Sequence, residues 1–486
     1  MKCEVWRFWL PKVEGAGGEN AYSWKLNVHC RLFEVYLPFT KDKVDMTMNI
    51  KPAEGKLGVL CVGLGAVSTT LITGTLMTRK GLANPVGSFT QLGKMRVGRG
   101  EKKQYKHVGE IVPMTDLKDV VFGAWDVFTD NAYESALYCQ VLKKEDIEPV
   151  RDELERIKPM KACFDADFAK NLVDPQFGRV PDPLWAMPTD TRWNYAQNLR
   201  SDIRNFKKEN GCDRVIVFWI ASTESYTPRN EQVHGTLAGL EAAMKADDRK
   251  HLPPSMIYAY AALMEGCPFI MGAPNVCVDI PAFFELSKKQ GLPIVGKDFK
   301  SGQTMMKSAM APIFRTRLLG VEGWFSTNIL GNRDGQVIEH PDNFETKRIS
   351  KASSIEWILE KDEYPELYTD IYHKVKINYY PPRKDNKESW DNIDIFGWMN
   401  YPMQIKVNFL CRDSILAAPI CLDLMLFTDL ALRAGLSGVQ EWLSFYVKKP
   451  MTYDDERPVH DLFQQFAMLK NQIRLLGGYE ADQELD

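Results

Sequence analysis

From about residue 56 the apolar positions fall into short runs separated by amphipathic stretches. Residues 56–62 form an apolar strand, the turn Gly63-Leu64-Gly65-Ala66-Val67-Ser68 follows, and residues 69–77 read as a helix despite their threonines. Residues 117–127 and 213–220 are further apolar runs, the second nearly continuous, as in strands buried on both faces of a parallel sheet. Residues 146–158 carry Ile147, Val150, Leu154 and Ile157 at helical spacing with Pro149 in the first turn, and residues 192–210 repeat the pattern. A helix over 254–266, a strand and turn over 267–275, a helix over 282–291 and a strand over 292–295 continue the alternation. Strands alternating with helices predict a doubly wound α/β fold.

Beyond residue 308 the pattern changes. A helix over 310–319 and a turn-rich loop over 327–335 precede residues 375–379 and 405–409, which alternate as half-buried strands do and predict an α+β insertion with an antiparallel sheet. Residues 413–434 are again apolar and mostly helical, so the chain is expected to return to its first fold. The expected organisation is a dispensable extension over 1–47, the first part of a Rossmann-like nucleotide domain over 48–304, an inserted catalytic and oligomerisation domain over 305–404, and a return to the Rossmann-like domain over 405–486.

Composition narrows the function classes. With 61 basic and 64 acidic residues the net charge is -3, which gives no general attraction to nucleic acid or to an anionic membrane. Charges at Lys2, Glu4, Arg7 and Lys12 interrupt the N-terminus before a signal-peptide core can form, and no apolar run is read as approaching the roughly 20 residues of a membrane span. The 10 cysteines contain no CxxC pair; read as reduced thiols, they favour the cytoplasm.

Two stretches carry candidate chemistry. In the glycine turn, Gly63 supplies the tight turn, Gly65 lets a pyrophosphate approach the backbone, and Leu64, Ala66 and Val67 bring it to a helix N-terminus, while Ser68 stands where a third glycine is usual. No acidic residue lies between Gly65 and Glu101 to hold a ribose; Asp126, at the end of a later strand, is the substitute candidate, with a turn or cap role as its alternative. Ala221 and Thr223 end another strand and suit a bound nucleotide or a capped helix equally, and Arg79 and Lys80 leave a 2′-phosphate, hence NADP, open. The second stretch, Lys297 to Thr304, reads as strand, turn and helix N-terminus, presenting cations, hydroxyls and free N–H groups together as an anion site requires.

Taken together, Asp298-Phe299-Lys300-Ser301-Gly302-Gln303-Thr304, Asn328-Ile329-Leu330-Gly331-Asn332-Arg333-Asp334-Gly335, Lys347-Arg348-Ile349-Ser350-Lys351, Asp385-Asn386-Lys387, Asp413-Ser414-Ile415-Leu416-Ala417-Ala418-Pro419 and Leu443-Ser444-Phe445-Tyr446-Val447-Lys448 resemble the myo-inositol-1-phosphate synthase family. The resemblance implies an enzyme that cyclises glucose 6-phosphate to inositol 1-phosphate on a tightly held NAD, reduced and reoxidised within one turnover, and a homotetramer assembled through the inserted sheet. It implies Lys347, Lys351, Lys387 and Lys448 as catalytic lysines, with Lys347 moving a proton at carbon 5 and Lys387 and Lys448 facing developing oxyanions. Ser301, Gly302, Asn328, Asn332 and Asp413 are the implied substrate contacts, the neutral ones acting as donors; Asp298, Ser301, Asp334 and Asp413 are also implied near the cofactor. Lys297, Met305, Arg333, Ile220 and Ser222 depart from residues usual in the family. Whether a divalent or monovalent cation takes part is left open. A sugar-phosphate dehydrogenase or epimerase, and an inactive NAD-binding subunit, are the alternatives.

Overall fold

The computed structural model describes residues 50–182, 190–453 and 457–481, with the side chains of residues 348–354 outside that description. The expected extension over 1–47 and the side chain of Lys351 therefore lie outside the described residues.

Among the described residues, strands β1 (Lys56–Val62), β2 (Lys94–Val97), β3 (Gln104–His107), β4 (Val120–Asp126), β5 (Met160–Lys161), β6 (Cys212–Trp219), β7 (Phe269–Met271), β8 (Pro293–Gly296), β9 (Gly320–Leu330), β10 (Tyr372–Tyr379), β11 (Asn386–Phe396), β12 (Pro402–Arg412) and β13 (Gly438–Val439) form three sheets. The main sheet runs β13-β8-β7-β6-β1-β4-β5, and every pair in it is parallel. From β1 the chain winds outward through β4 and β5, then restarts on the other side of β1 with β6, so the sheet is doubly wound and its order reverses between β1 and β6.

Apolar cores fill both faces of this sheet. One lies under the helices Ala66–Arg79 and Asp413–Arg433, the other under Arg192–Asn210 and Pro254–Met264. The threonine-rich helix is stabilised by its own hydroxyls: Thr69, Thr70, Thr75 and Thr78 each donate to the carbonyl four residues earlier, which satisfies them inside a helix.

The chain leaves the parallel sheet after β8 and returns to it as β13. In between stands a four-stranded sheet, β10-β9-β11-β12, covered by the helices Gly302–Arg317 and Pro341–Leu359 around Phe314, Trp324, Ile355, Ile358, Ile393 and Ile395. This sheet is mixed, which corrects the antiparallel expectation. β11 runs antiparallel to β9 and β12, but β10 pairs with β9 in parallel because three helices connect them, and such a crossover returns the chain in the same direction.

Three further expectations change. Residues 327–335 are the end of β9 followed by the helix Arg333–Ile338, whose first turn is capped when the Gly335 N–H donates to Asn332 Oδ1 at 3.1 Å. The amphipathic stretch over 146–158 breaks into Lys144–Ile147, a 3-10 turn Glu148–Val150 and Arg151–Arg156, since Pro149 has no N–H to continue the helical ladder. Finally, Asp413–Arg433 has the length and apolarity of a membrane-crossing helix, with a mean hydropathy of 2.0, yet 72% of that window is buried in the fold. Its interior positions hold Asp423, Asp429 and Arg433, which are fully partnered by protein: Asp429 receives Arg214, Thr115 and Arg433, and Asp423 receives Ser88, Thr90 and Tyr446.

Candidate active site

The reversal of strand order puts the ends of β1 and β6 side by side at the carboxyl edge of the sheet. Gly63 there has φ 95°, and a Cβ on it would meet the Cα of Ala221 at 2.9 Å, so the turn closes only with glycine. Gly65 has open space where a Cβ would stand, and no side chain caps the helix that begins at Ala66. A helix N-terminus without a side-chain cap, with open space beside Gly65, has the form that a pyrophosphate site requires. Asp126 lies at the end of β4, where its carboxylate accepts the Leu64 N–H at 2.5 Å and the Phe128 N–H at 2.9 Å; burial nevertheless raises its pKa. It therefore ties the glycine turn to the neighbouring strand. Arg79 and Lys80 do not face this crevice: Arg79 donates to the carbonyl of Val120, the first residue of β4, and Lys80 pairs with Glu153 at 2.6 Å.

A second group of side chains gathers around the turn after β8. Residues 297–300 run against 446–449 through Lys297 N to Lys449 O, Lys448 N to Asp298 O and Lys300 N to Tyr446 O, so backbone pairing delivers Asp298 and Lys448 to one place. Asp298 adopts left-handed backbone (φ 63°), which short polar residues tolerate, and is buried. Its Oδ1 faces Lys448 Nζ at 3.3 Å and Lys347 Nζ at 3.5 Å. Lys347 also faces Asp334 Oδ2 at 3.7 Å, and Thr223, from the loop that follows β6, donates to the other oxygen of Asp334 at 3.3 Å. Thr223 and Asp334 thus join the nucleotide crevice to the lysines.

Beside them, Lys387 Nζ contacts Asp413 Oδ2 at 3.0 Å. A Cβ on Gly302 would come within 3.4 Å of Asp413 Oδ1 and 3.9 Å of Lys387 Cδ, so the N-terminus of the Gly302–Arg317 helix opens onto this pair. Asn332 donates to Asp385 at 3.2 Å, and Asp385 receives the Ser414 hydroxyl at 2.8 Å, which anchors the start of the Asp413 helix. Asn328 donates to Gln303 Oε1 at 2.7 Å. Two buried acceptors in this group, Asp413 Oδ1 and Asn328 Oδ1, have no hydrogen-bond partner within the protein. Unmatched buried acceptors beside cations suit a ligand that brings hydroxyls.

Electrostatics separates the lysines. Burial opposes the charge on Lys347, but Asp298, Asp334 and Asp413 outweigh it and hold its pKa above the ordinary lysine value. Lys387 is raised in the same way, with Asp413 overcoming burial. Lys448 goes the other way: burial, reinforced by Lys347 and Lys387, lowers it despite Asp298. Burial disfavours the Asp413 carboxylate, yet Lys387, Lys448 and the Ser301 hydroxyl hold it below the usual range.

Sequence reasoning missed several residues. Glu224 is buried and pushed up to about 7 by burial, and caps the Pro254–Met264 helix by accepting the Ser255 N–H. Asn275 joins it to Lys297, whose ammonium donates to the Asn275 carbonyl at 2.6 Å and pairs with Asp279 at 2.8 Å. Gln303 and Asp385 stand inside motifs quoted above, so position within a motif was a usable signal for them; Asp391 had none. Lys300 turns away from the lysine group, donating to Gln465 of the helix Leu462–Leu476 and to the Ser444 carbonyl. Arg333 stacks on Phe128 and Tyr138, with its guanidinium 4.1 and 5.2 Å from the ring centres. Among the described residues no group of three or more His, Cys, Asp or Glu is arranged to hold a metal ion.

Comparison with known proteins gives the same reading. The model of an NAD-binding family described as myo-inositol-1-phosphate synthase matches residues 57–474. The chain is 59% identical over 439 residues to inositol-3-phosphate synthase 1 of Bacteroides thetaiotaomicron, covering 90% of this chain and 99% of that protein. It is 30% identical to inositol-3-phosphate synthase of Saccharomyces cerevisiae, covering 92% and 90% of the two chains. The crystal structure of inositol-3-phosphate synthase from Caenorhabditis elegans superposes with a TM-score of 0.81 at 28% identity, over 89% of this chain and 88% of that one. The chain belongs to the myo-inositol-1-phosphate synthase family.

Proposed function

We propose that this chain converts D-glucose 6-phosphate to 1L-myo-inositol 1-phosphate by an NAD-dependent, redox-neutral cyclisation. The observation that carries the reading is the Thr223, Asp334, Lys347, Asp298, Lys448 chain of contacts, which runs from the nucleotide crevice into a buried group of lysines. NAD, when bound, supplies the acceptor and later the donor of a hydride at carbon 5. Gly63, Leu64, Gly65, Ala66 and Val67 are the residues we assign to its pyrophosphate, the space above Gly65 being the cradle it would fill.

The chain's own groups serve the remaining steps. Lys347, held as a cation by Asp298 and Asp334, steadies the carbon 5 oxygen as it gains and loses charge. Lys448 holds its proton least firmly of the three described lysines, so we assign to it, and not to Lys347 as the resemblance implies, the proton transfers that accompany oxidation at carbon 5 and enolisation at carbon 6. Lys387, paired to Asp413 at the opening of the Gly302 helix, faces the oxyanion formed when carbon 6 closes on carbon 1, with Ser301 and Gly302 taking the phosphate. Lys351 lies one helical turn beyond Lys347 in sequence and is assigned to the same substrate.

We also infer self-association through the four-stranded sheet into a homotetramer. Its β11–β12 turn leaves Trp398 89%, Met399 74% and Tyr401 67% exposed, a large apolar surface for one turn. We assign the enzyme to the cytoplasm, since all eight described cysteines are free and six of them are buried.

The test is phosphorus NMR of purified protein with glucose 6-phosphate, with and without NAD, and with chelator or added cations. An inositol phosphate signal without net NADH is expected. Net NADH would favour a sugar-phosphate dehydrogenase, a new sugar phosphate an epimerase, and unchanged substrate a subunit without activity.

A further inference from the structure

We propose that Asp391, which touches neither substrate nor cofactor, is the positioning residue that fixes Asn328 as a hydrogen-bond acceptor for a substrate hydroxyl the reaction leaves intact. The proposal rests on the function above and deepens it.

Lys387, Ser389 and Asp391 alternate along β11 and share one face, and the register sets Asn328 opposite Ser389 and Ser326 opposite Asp391 on β9. Asn328 therefore lies one row from Lys387 on the surface that the Gly302–Arg317 helix covers. All three members of the series are deeply buried: Asp391 is 4% exposed, Gln303 2% and Asn328 0%.

Hydrogen bonding then has a single polarity. Asp391 Oδ1 accepts from Trp324 Nε1 at 2.8 Å and Ser326 Oγ at 2.6 Å, and Oδ2 accepts from Gln303 Nε2 at 3.0 Å. A carboxylate only accepts, so Gln303 must turn its amino group to Asp391 and its oxygen away. That oxygen receives the Asn328 amino group at 2.7 Å. Asn328 has one polar atom left, Oδ1, and it is buried without a partner. The orientation of each amide follows from the one before it, and the series begins at the only group in it with no donor.

An unpartnered buried oxygen costs stability unless a ligand donates to it. A phosphate oxygen cannot donate, whereas a sugar hydroxyl can. The neutral amide oxygen also cannot remove a proton, so its partner is a hydroxyl on carbon 2, 3 or 4. This reverses the donor role expected for Asn328.

The test uses polarity. Fluorine cannot donate a hydrogen bond, so the 2-, 3- and 4-deoxyfluoro derivatives of glucose 6-phosphate probe one hydroxyl each, by calorimetry on the NAD-loaded protein. In the wild type one derivative is expected to bind at least about tenfold more weakly than the other two, because a site built around a hydrogen bond rejects an analogue that lacks it. In Asp391→Asn the donor-only Trp324 Nε1 keeps the remaining oxygen, so the new amino group faces Gln303 and both amides turn over. Asn328 then presents a donor, the penalty on that derivative falls to about threefold or less, and KM for glucose 6-phosphate rises. Gln303→Leu cuts the series while leaving Asp391 its Trp324 and Ser326 partners, and the same loss of ranking is expected if Asp391→Asn does not fold. Equal binding of the three derivatives by the wild type, or the wild-type ranking kept in the variant, overturns the proposal. Because binding is read directly, a wild type that ranks the derivatives but forms no inositol phosphate sinks the proposed reaction and leaves the Asp391 assignment standing.

Discussion

The two halves of the site are built from different materials. At the β1/β6 crevice the surface we assign to the cofactor is backbone and short side chains, with Gly63, Gly65, Ala221 and Thr223 at its centre and Asp126 already engaged by backbone N–H groups. Around Asp298 it is charge, three described lysines among Asp298, Asp334 and Asp413. A cofactor retained through turnover needs a shape that fits it, while a substrate whose oxygens gain and lose charge needs ions that are already in place. The crevice should thus be sensitive to added volume and indifferent to nearby charge, and the lysine group the reverse.

The largest effect that would break this division is at Lys347. Lys347→Ala removes the cation between Asp298 and Asp334, and kcat should fall by about 10²–10³-fold or more, the range for losing a preorganised electrostatic contact. NAD affinity, read by fluorescence titration, should stay near that of the wild type. A parallel loss of NAD would merge the two halves into one. Gly63→Ala is the converse. A methyl group at φ 95°, 2.9 Å from the Ala221 Cα, should cost about 1–3 kcal/mol of stability and weaken NAD binding, with glucose 6-phosphate affinity of the NAD-saturated enzyme preserved. Thermal unfolding and the same titration check it.

The division also explains what the sequence disclosed. The crevice is local: strand, Gly63 turn and helix occupy consecutive residues, and the apolar runs of β1 and β6 announce a buried parallel sheet. The lysine group is assembled from segments spread over 150 residues, and no periodicity brings Lys448 to Asp298; only the resemblance singled out Lys448. Even then, partners outside the quoted motifs stayed hidden. Asp391 is one charge among many along the sequence until its three donors are seen, and the parallel pairing of β10 depends on a helical crossover that alternation cannot encode.

A smaller, pH-dependent effect tests whether the turn between the halves is held by charge. Lys300 lies between Asp298 and Gly302 in sequence, and burial lowers it to about 7. Unfolded, it would keep its proton to roughly pH 10.4. Between those values the unfolded chain binds more protons than the folded one, so this group makes stability rise with pH from about 7 toward 10. Lys300→Met removes that contribution. The melting temperature of the wild type minus that of the variant should therefore grow from pH 7 to pH 9.5. A difference that does not change with pH would mean that Lys300 stays charged in the fold.

The smallest expected effect is at Arg79, and its smallness is the point. A cation one helix beyond a glycine turn is where a 2′-phosphate would be sought on sequence grounds. Here Arg79 donates to Val120 at the start of β4, while ligands collect at the other end of the strands. Six residues at about 3.3 Å each put that end about 20 Å away, beyond the reach of any arginine side chain. Arg79→Leu should cost about 1 kcal/mol for the lost hydrogen bond and leave the ratio of KM values for NAD and NADP unchanged. A shift in that ratio would mean that charge at the far edge of the sheet reaches the crevice, and that shape alone does not choose the cofactor.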